Sequence, residues 1–183
     1  IGPGRGLETA IEAVIRAESR PHLFLRGTPA GRYWDELRRM AAQAGAGERL
    51  HLLDPAPPDE LERLGAIYDV GYVGELAETK NRQIALTNKV FSYLLGGVPS
   101  LASEIPAHRR IASDLGPAMS LFEIGNAAGL AVALDALLLD PPRLAAARTQ
   151  AWRLGQDRYN WEAEALRFLA PVQAVLSERT RSA

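Results

Sequence analysis

The sequence predicts a doubly wound α/β domain built on a parallel sheet. Two observations carry that expectation. Short apolar runs alternate at least five times with stretches of helical periodicity. The connections between them are short and rich in glycine and proline, as a chain that winds back and forth across one sheet requires.

Taken in order, Gly2-Pro3-Gly4-Arg5-Gly6 reads as a glycine loop feeding a helix with Leu7, Ala10, Ile11 and Val14 on its apolar face. A loop needs an element before it. The chain, which opens Ile1-Gly2-Pro3, is therefore expected to be a fragment with at least one strand upstream. His22 to Arg26 is a strand ending at Gly27. Tyr33 to Ala44 is a helix with Trp34, Leu37, Met40 and Ala41 inward, and Leu50 to Leu53 is another strand. Pro55 to Pro58 is a stiff loop, and Asp59 and Glu60 open a short helix. Tyr68 to Val73 is a strand, followed by a polar, mobile loop from Glu75 to Arg82.

Asn88 then caps a helix whose core face is Val90, Phe91, Leu94 and Leu95. That helix ends at the Gly96-Gly97 turn before a buried strand. Pro106 to Leu115 is a helix, Ala118 to Phe122 a strand, and Asn126 to Leu139 a long helix ended by Asp140-Pro141-Pro142. Arg143 to Arg158 and Trp161 to Arg179 are the last helices, the final one kinked or restarted at Pro171.

Composition excludes several functions. The 183 residues fit one domain, and 47% hydrophobic content can bury a core. A net charge of −1 gives no reason to expect nucleic acid or an anionic membrane as the main partner. The absence of cysteine removes disulfide and thiol chemistry and is compatible with a reducing compartment. His22, His51 and His108 lack metal-ligand spacing, so no metal is expected. The most apolar region, Leu121 to Leu139, is interrupted by Glu123, Asn126 and Asp135, which argues against a transmembrane helix.

In doubly wound sheets ligands bind at the carboxyl ends of the strands. The Gly2–Gly6 loop, Gly27, the Pro55–Pro58 loop and the Glu75–Lys89 segment all follow strands and are expected to converge there. Arg5 and Lys89 on one rim suit an anionic small molecule. Lys89 lies at the positive end of a helix dipole, where a cation is mildly unfavourable unless an anion arrives. Two plainer readings stand beside this one: Lys89 points into water, and Arg5 covers apolar surface. His108 reads as a surface residue, and Trp34, Trp152 and Trp161 as packing residues. Glu75, Glu78 and Lys80 read as a solvated loop. Gly2-x-Gly4-x-Gly6 is not the dinucleotide fingerprint, so NAD is discounted.

Seven motifs occur in a telling order. They are Arg5-Gly6-Leu7-Glu8 with Ile11-Glu12-Ala13; Leu25-Arg26-Gly27; Leu52 through Asp59-Glu60-Leu61; Asp69-Val70-Gly71; Leu86 to Tyr93; Gly97-Val98-Pro99; and Tyr159-Asn160-Trp161. Together they resemble the C-terminal, nucleotide-sugar-binding domain of group 1 glycosyltransferases of GT-B architecture. The resemblance implies that residues 1–183 form a single Rossmann-like donor-binding domain. It also implies that 160–183 is a C-terminal helix placed to pack on a missing N-terminal acceptor domain.

By the same resemblance, Arg5 and Lys89 neutralise the donor diphosphate, with Gly4, Gly6, Asn88 and Val90 completing its cradle. Gly27, Pro58 and Leu61 approach the nucleoside base. Ser92 stands where the family often has a glutamate that grips the ribose, and Ile84 where its partner glutamate falls; Glu75 or Glu78 could stand in for the lost carboxylate. The implied ligand is a nucleotide-diphosphate sugar as substrate, with no cofactor and no nucleic acid. The implied setting is the cytoplasm, with peripheral association of the parent at the inner face of the membrane. Two alternatives remain at this point. One is a non-catalytic GT-B-like binding domain that has lost ribose recognition; the other is an unrelated doubly wound regulatory module.

Overall fold

The structure is a computed structural model that describes residues 1–181, with side chains through residue 173. Its first half is a βα layer. Helix α1 (Leu7–Arg16) follows Gly6 and buries Leu7, Ala10, Ile11, Ala13 and Val14. Strands β1 (Leu23–Arg26) and β2 (Leu50–Leu53) pair in parallel, with Leu23 opposite Leu50. Helix α2 (Tyr33–Gln43) connects them. Leu25 and Leu50 from the strands meet Ile11 of α1 and Leu37 of α2 in one core.

The second half holds three parallel strands in the order β3 (Gly71–Val73), β4 (Ser100–Ser103), β5 (Met119–Phe122). Around them lie α3 (Leu61–Gly65), α4 (Lys80–Ile84), α5 (Asn88–Leu95), α6 (Pro106–Leu115), α7 (Ala127–Leu138) and α8 (Pro141–Asp157). Helix α9 (Trp161–Arg181) follows. All four residues of β4 are buried. Neighbouring strand residues point to opposite faces. Leu101 accordingly joins the core with Leu130 and Ala147, and Ala102 joins the core with Val90, Leu94 and Leu115. Apolar cores on both faces of parallel strands are the doubly wound arrangement expected from the sequence.

Several local expectations are corrected. Thr87, not Asn88, is the N-cap of α5; Asn88 is its first helical residue, and no side chain caps it. The segment from Glu75 to Arg82 is not simply a mobile polar loop. It carries the start of α4, capped by Thr79 Oγ1 accepting the Arg82 N–H at 3.3 Å, and Glu75 is buried. Pro141 and Pro142 open α8 rather than only ending α7, and the Asp140 carboxylate accepts the Arg143 N–H at 3.0 Å. Proline has no N–H to lose in a first turn, so the pair favours a start. Pro171 lies inside an α9 that runs unbroken from Trp161 to Arg181. Trp152 and Trp161 are 52% and 73% exposed, and Trp152 packs at the edge against Gly97 of the α5–β4 turn. His108 is fully buried rather than on the surface. Of the expected terminal helix 160–183, Ser182 and Ala183 lie outside the described residues. Among those described, no helix is long and apolar enough to cross a membrane.

Helix α8 crosses α5 at close range because Gly155 has no side chain. A Cβ there would lie 2.5 Å from the Leu94 carbonyl oxygen, in backbone that cannot swing aside. Gly155→Ala is expected to destabilise the protein by about 1–3 kcal/mol, as overpacking does. Gly65→Ala, with nothing within 4 Å of the added methyl, should stay within about 0.5 kcal/mol of wild type. Urea denaturation of the two variants checks the contrast.

Candidate functional site

The glycine loop before α1 needs its glycines. Gly4 and Gly6 have φ of 77° and 61°, a region that strains any residue with a Cβ. The loop is pinned from two sides. The Tyr72 hydroxyl of β3 donates to the Gly6 carbonyl at 2.5 Å, and the Arg82 guanidinium donates to the Gly4 carbonyl. A Cβ on Gly6 would lie 2.9 Å from that hydroxyl. Burial, with Glu8 and Glu75 nearby, pushes the Tyr72 phenol up, so it stays a protonated donor.

Arg5, held between the two pinned glycines, reaches the carboxyl end of β3. Its Nη1 lies 2.9 Å from Glu75 Oε1 and 3.3 Å from Oε2. Lys89, from the first turn of α5, places Nζ 3.2 Å from the same Oε1. Arg82 of α4 completes the cluster, with Nη1 3.7 Å from Oε2. The carboxylate is 3% exposed, whereas the Arg5 and Lys89 side chains are 48% and 43% exposed. Three cations therefore surround one buried anion, and the half-exposed Arg5 and Lys89 present net positive charge outward.

The carboxylate is anchored from behind. The Glu75 N–H donates to Ser103 Oγ at 2.9 Å, and that hydroxyl lies 3.4 Å from the Val73 carbonyl. The Ser103 carbonyl lies 2.7 Å from His108 Nδ1. A carbonyl only accepts, so Nδ1 carries the proton. Burial is the main cause of a lowered His108 pKa; the Ser103 hydrogen bond and Glu75 oppose it, and Lys89 reinforces it. His108 is thus a neutral imidazole, and among the described residues its buried Nε2 has no hydrogen-bond partner, nor does Thr87 Oγ1 just before α5.

The structure brings Arg5 and Lys89 together, as expected of one rim, with Gly4 and Gly6 in the supporting loop. The other expected residues are placed less favourably. Val90 turns its side chain into the core, and its N–H already donates to the Thr87 carbonyl at 3.1 Å. Asn88 is exposed and Ser92 half-buried. Gly27 donates its N–H to the Leu53 carbonyl at 3.0 Å, Pro58 is exposed and Leu61 is 40% exposed. Among the described residues no hydrogen bond or ion pair ties these three to the cation cluster. Glu75, Arg82, Ser103 and His108 escaped the sequence reading as a set. Glu75 was the detectable one, because it follows β3 directly at the strand edge where ligands bind. No group of three or more metal-capable side chains occurs among the described residues.

No family model and no curated protein match the chain. Solved structures do. Sucrose-phosphate synthase from Thermosynechococcus elongatus matches with a TM-score of 0.78 at 18% identity, over 96% of this chain and 43% of that one. HepE from Anabaena, solved in complex with UDP and glucose, matches at 0.75 and 17% identity, over 100% of this chain and 46% of that one. The C-terminal domain of LpcC, a group 1 family glycosyl transferase from Francisella tularensis, matches at 0.71 and 17% identity, over 88% and 84%. The chain thus spans about half the length of HepE and of the synthase. It shares the fold of the group 1 glycosyltransferase C-terminal domain, the Rossmann-like half of a GT-B architecture.

Two outcomes test the anchoring of the carboxylate. Ser103→Ala removes the acceptor of a buried N–H and should cost about 1–3 kcal/mol in thermal or urea unfolding. His108 is kept neutral in the fold but titrates freely when unfolded. Below the ordinary histidine value near 6.5 the unfolded chain binds a proton that the folded chain refuses, so stability falls as pH falls from there. His108→Asn keeps a donor near Nδ1 and removes the titration. Its unfolding free energy should drop less steeply between pH 7 and pH 5 than that of wild type.

Proposed function

We propose that the chain is the donor-side domain of a glycosyltransferase that moves a sugar from a nucleotide-diphosphate sugar to an acceptor. One observation carries the reading. Two half-exposed cations, Arg5 from the glycine loop and Lys89 from the first turn of α5, meet at the strand edge with net positive charge facing outward. The fold is shared with proteins solved with UDP bound, which supports a diphosphate as the anion.

In this reading the C1–O bond of the donor breaks, and its electron pair moves onto the β-phosphate oxygen. The acceptor oxygen forms the new bond to C1, and its proton passes to solvent. Charge grows on the leaving diphosphate, and fixed cations lower the barrier because they interact more strongly with that state than with the intact donor. The Arg5 guanidinium suits the task, since its planar fork can face two phosphate oxygens. Lys89 adds a compact charge at the start of α5, where backbone dipoles also favour an anion.

The acceptor is held by a preceding domain across a cleft, and the pair acts by positioning the two substrates. The parent works in the cytoplasm or at the inner face of the membrane. One observation favours a second reading, a GT-B-like binding domain without activity: Ser92 and Ile84 stand where a ribose grip would need carboxylates.

Calorimetry with UDP, GDP and ADP tests the proposal. Micromolar binding of at least one is expected. Arg5→Ala and Lys89→Ala should each weaken it about 10- to 100-fold, the range for hydrogen bonds to charged groups. Absence of binding to all three contradicts the donor-site reading. Donor binding without sugar transfer by the full-length protein supports the second reading.

A further inference from the structure

Resting on that donor-site reading, we infer that Glu75 tunes the site to the charge of the intact nucleotide sugar and against the charge of the nucleoside diphosphate left after transfer. Its role is to favour product release.

Charge and immobility at Glu75 set this preference. Arg5, Arg82 and Lys89 carry +3; Glu75 removes one of those charges from behind, and the exposed Glu78 lies on the Arg82 side of the cluster. A nucleotide sugar is a diphosphate diester with one negative charge on each phosphate, −2 in all. When its C1–O bond breaks, the electron pair stays on the β-phosphate oxygen. A terminal phosphate loses its second proton near pH 6, so above neutrality the free nucleoside diphosphate carries −3. The product therefore brings one more negative charge than the donor to a rim that already holds the buried Glu75 carboxylate.

Glu75 is placed to make that difference felt. One carboxylate oxygen, Oε1, is shared by Arg5 at 2.9 Å and Lys89 at 3.2 Å, so the buried charge lies directly behind the two cations that face the ligand. The side chain is 3% exposed, and its backbone N–H is bonded to Ser103 Oγ. It therefore opposes the extra product charge at short range from a poorly hydrated position. Arg5 keeps its remaining guanidinium N–H groups, and Lys89 its remaining ammonium donors, for phosphate oxygens. The same repulsion acts on charge developing during bond cleavage. It is useful where release, rather than chemistry, limits turnover.

A plainer role is also conceivable for such a carboxylate, that of holding the cations in place. It makes a different prediction. Loss of positioning weakens donor and product by the same factor, whereas loss of charge tuning changes their ratio. The ratio is also insensitive to any fraction of a variant that fails to fold.

The test is calorimetry on wild type, Glu75→Gln and Glu75→Asp at pH 8, low salt and with EDTA present. UDP, GDP and ADP are each compared with the corresponding nucleotide diphosphoglucose. In Glu75→Gln the preference for free diphosphate over its glucose diester should rise about tenfold, and the gain should shrink at 0.5 M salt. Glu75→Asp, which keeps the charge, should leave the ratio at the wild-type value. An unchanged ratio in Glu75→Gln overturns the inference and leaves the donor site standing. Loss of both ligands in Glu75→Gln, with wild type binding both, assigns Glu75 to positioning and likewise overturns it. No binding of any ligand by wild type overturns the donor-site reading, and this inference with it.

Discussion

One buried carboxylate organises the carboxyl edge of the sheet. Glu75 would be costly to bury alone, since an unpaired charge out of water is strongly disfavoured. It is tolerated because Arg5, Arg82 and Lys89 surround it, while Ser103 satisfies the backbone N–H of the same residue. Those partners come from the glycine loop, α4, α5 and β4. A single residue thus ties the glycine loop, some 70 residues earlier, and β4 to the α4–α5 segment that follows it. The consequence for function is direct: the cations are brought to the rim and held there, half-exposed, with charge to spare.

The glycines follow from the same arrangement. Arg5 reaches Glu75 only because the loop turns through left-handed backbone at Gly4 and Gly6. Tyr72 and Arg82 hold those two carbonyls, so the loop is clamped from β3 and α4 at once. Behind the carboxylate the polar chain continues through Ser103 to His108, a neutral imidazole inside an apolar helix–sheet layer. Local order at the rim is therefore built from ion pairs on one buried carboxylate together with hydrogen bonds into the core, and not from fully exposed ion pairs, which contribute little.

Much of the fold was legible because periodicity is local. The apolar faces of α1 and α5, the runs at β1 and β2, and the alternation that predicts parallel strands can all be counted in the chain. Arg5 and Lys89 were legible for the same reason, each beside a helix start. Glu75 and His108 were not, because burial of a polar group is decided by neighbours remote in sequence. Glu75 reads as a solvated charge or, with Glu78, as a stand-in for a lost carboxylate; its burial shows only once Arg5, some 70 residues earlier, is known to reach it. His108, beside Arg109 and Arg110, reads as surface until its helix is docked on β4. The two prolines after Asp140 were misread because the same pair suits the end of one helix and the start of the next, and only the Asp140 cap on α8 decides between them.

The central claim is that the outward charge over Glu75 is a diphosphate seat. A crystal structure of the protein with UDP, GDP or ADP, whichever binds, tests it most directly. The account predicts phosphate oxygens within hydrogen-bond distance of both Arg5 and Lys89, with the Glu75 carboxylate still buried behind them. A nucleotide bound elsewhere, or one whose phosphates touch neither cation, contradicts it.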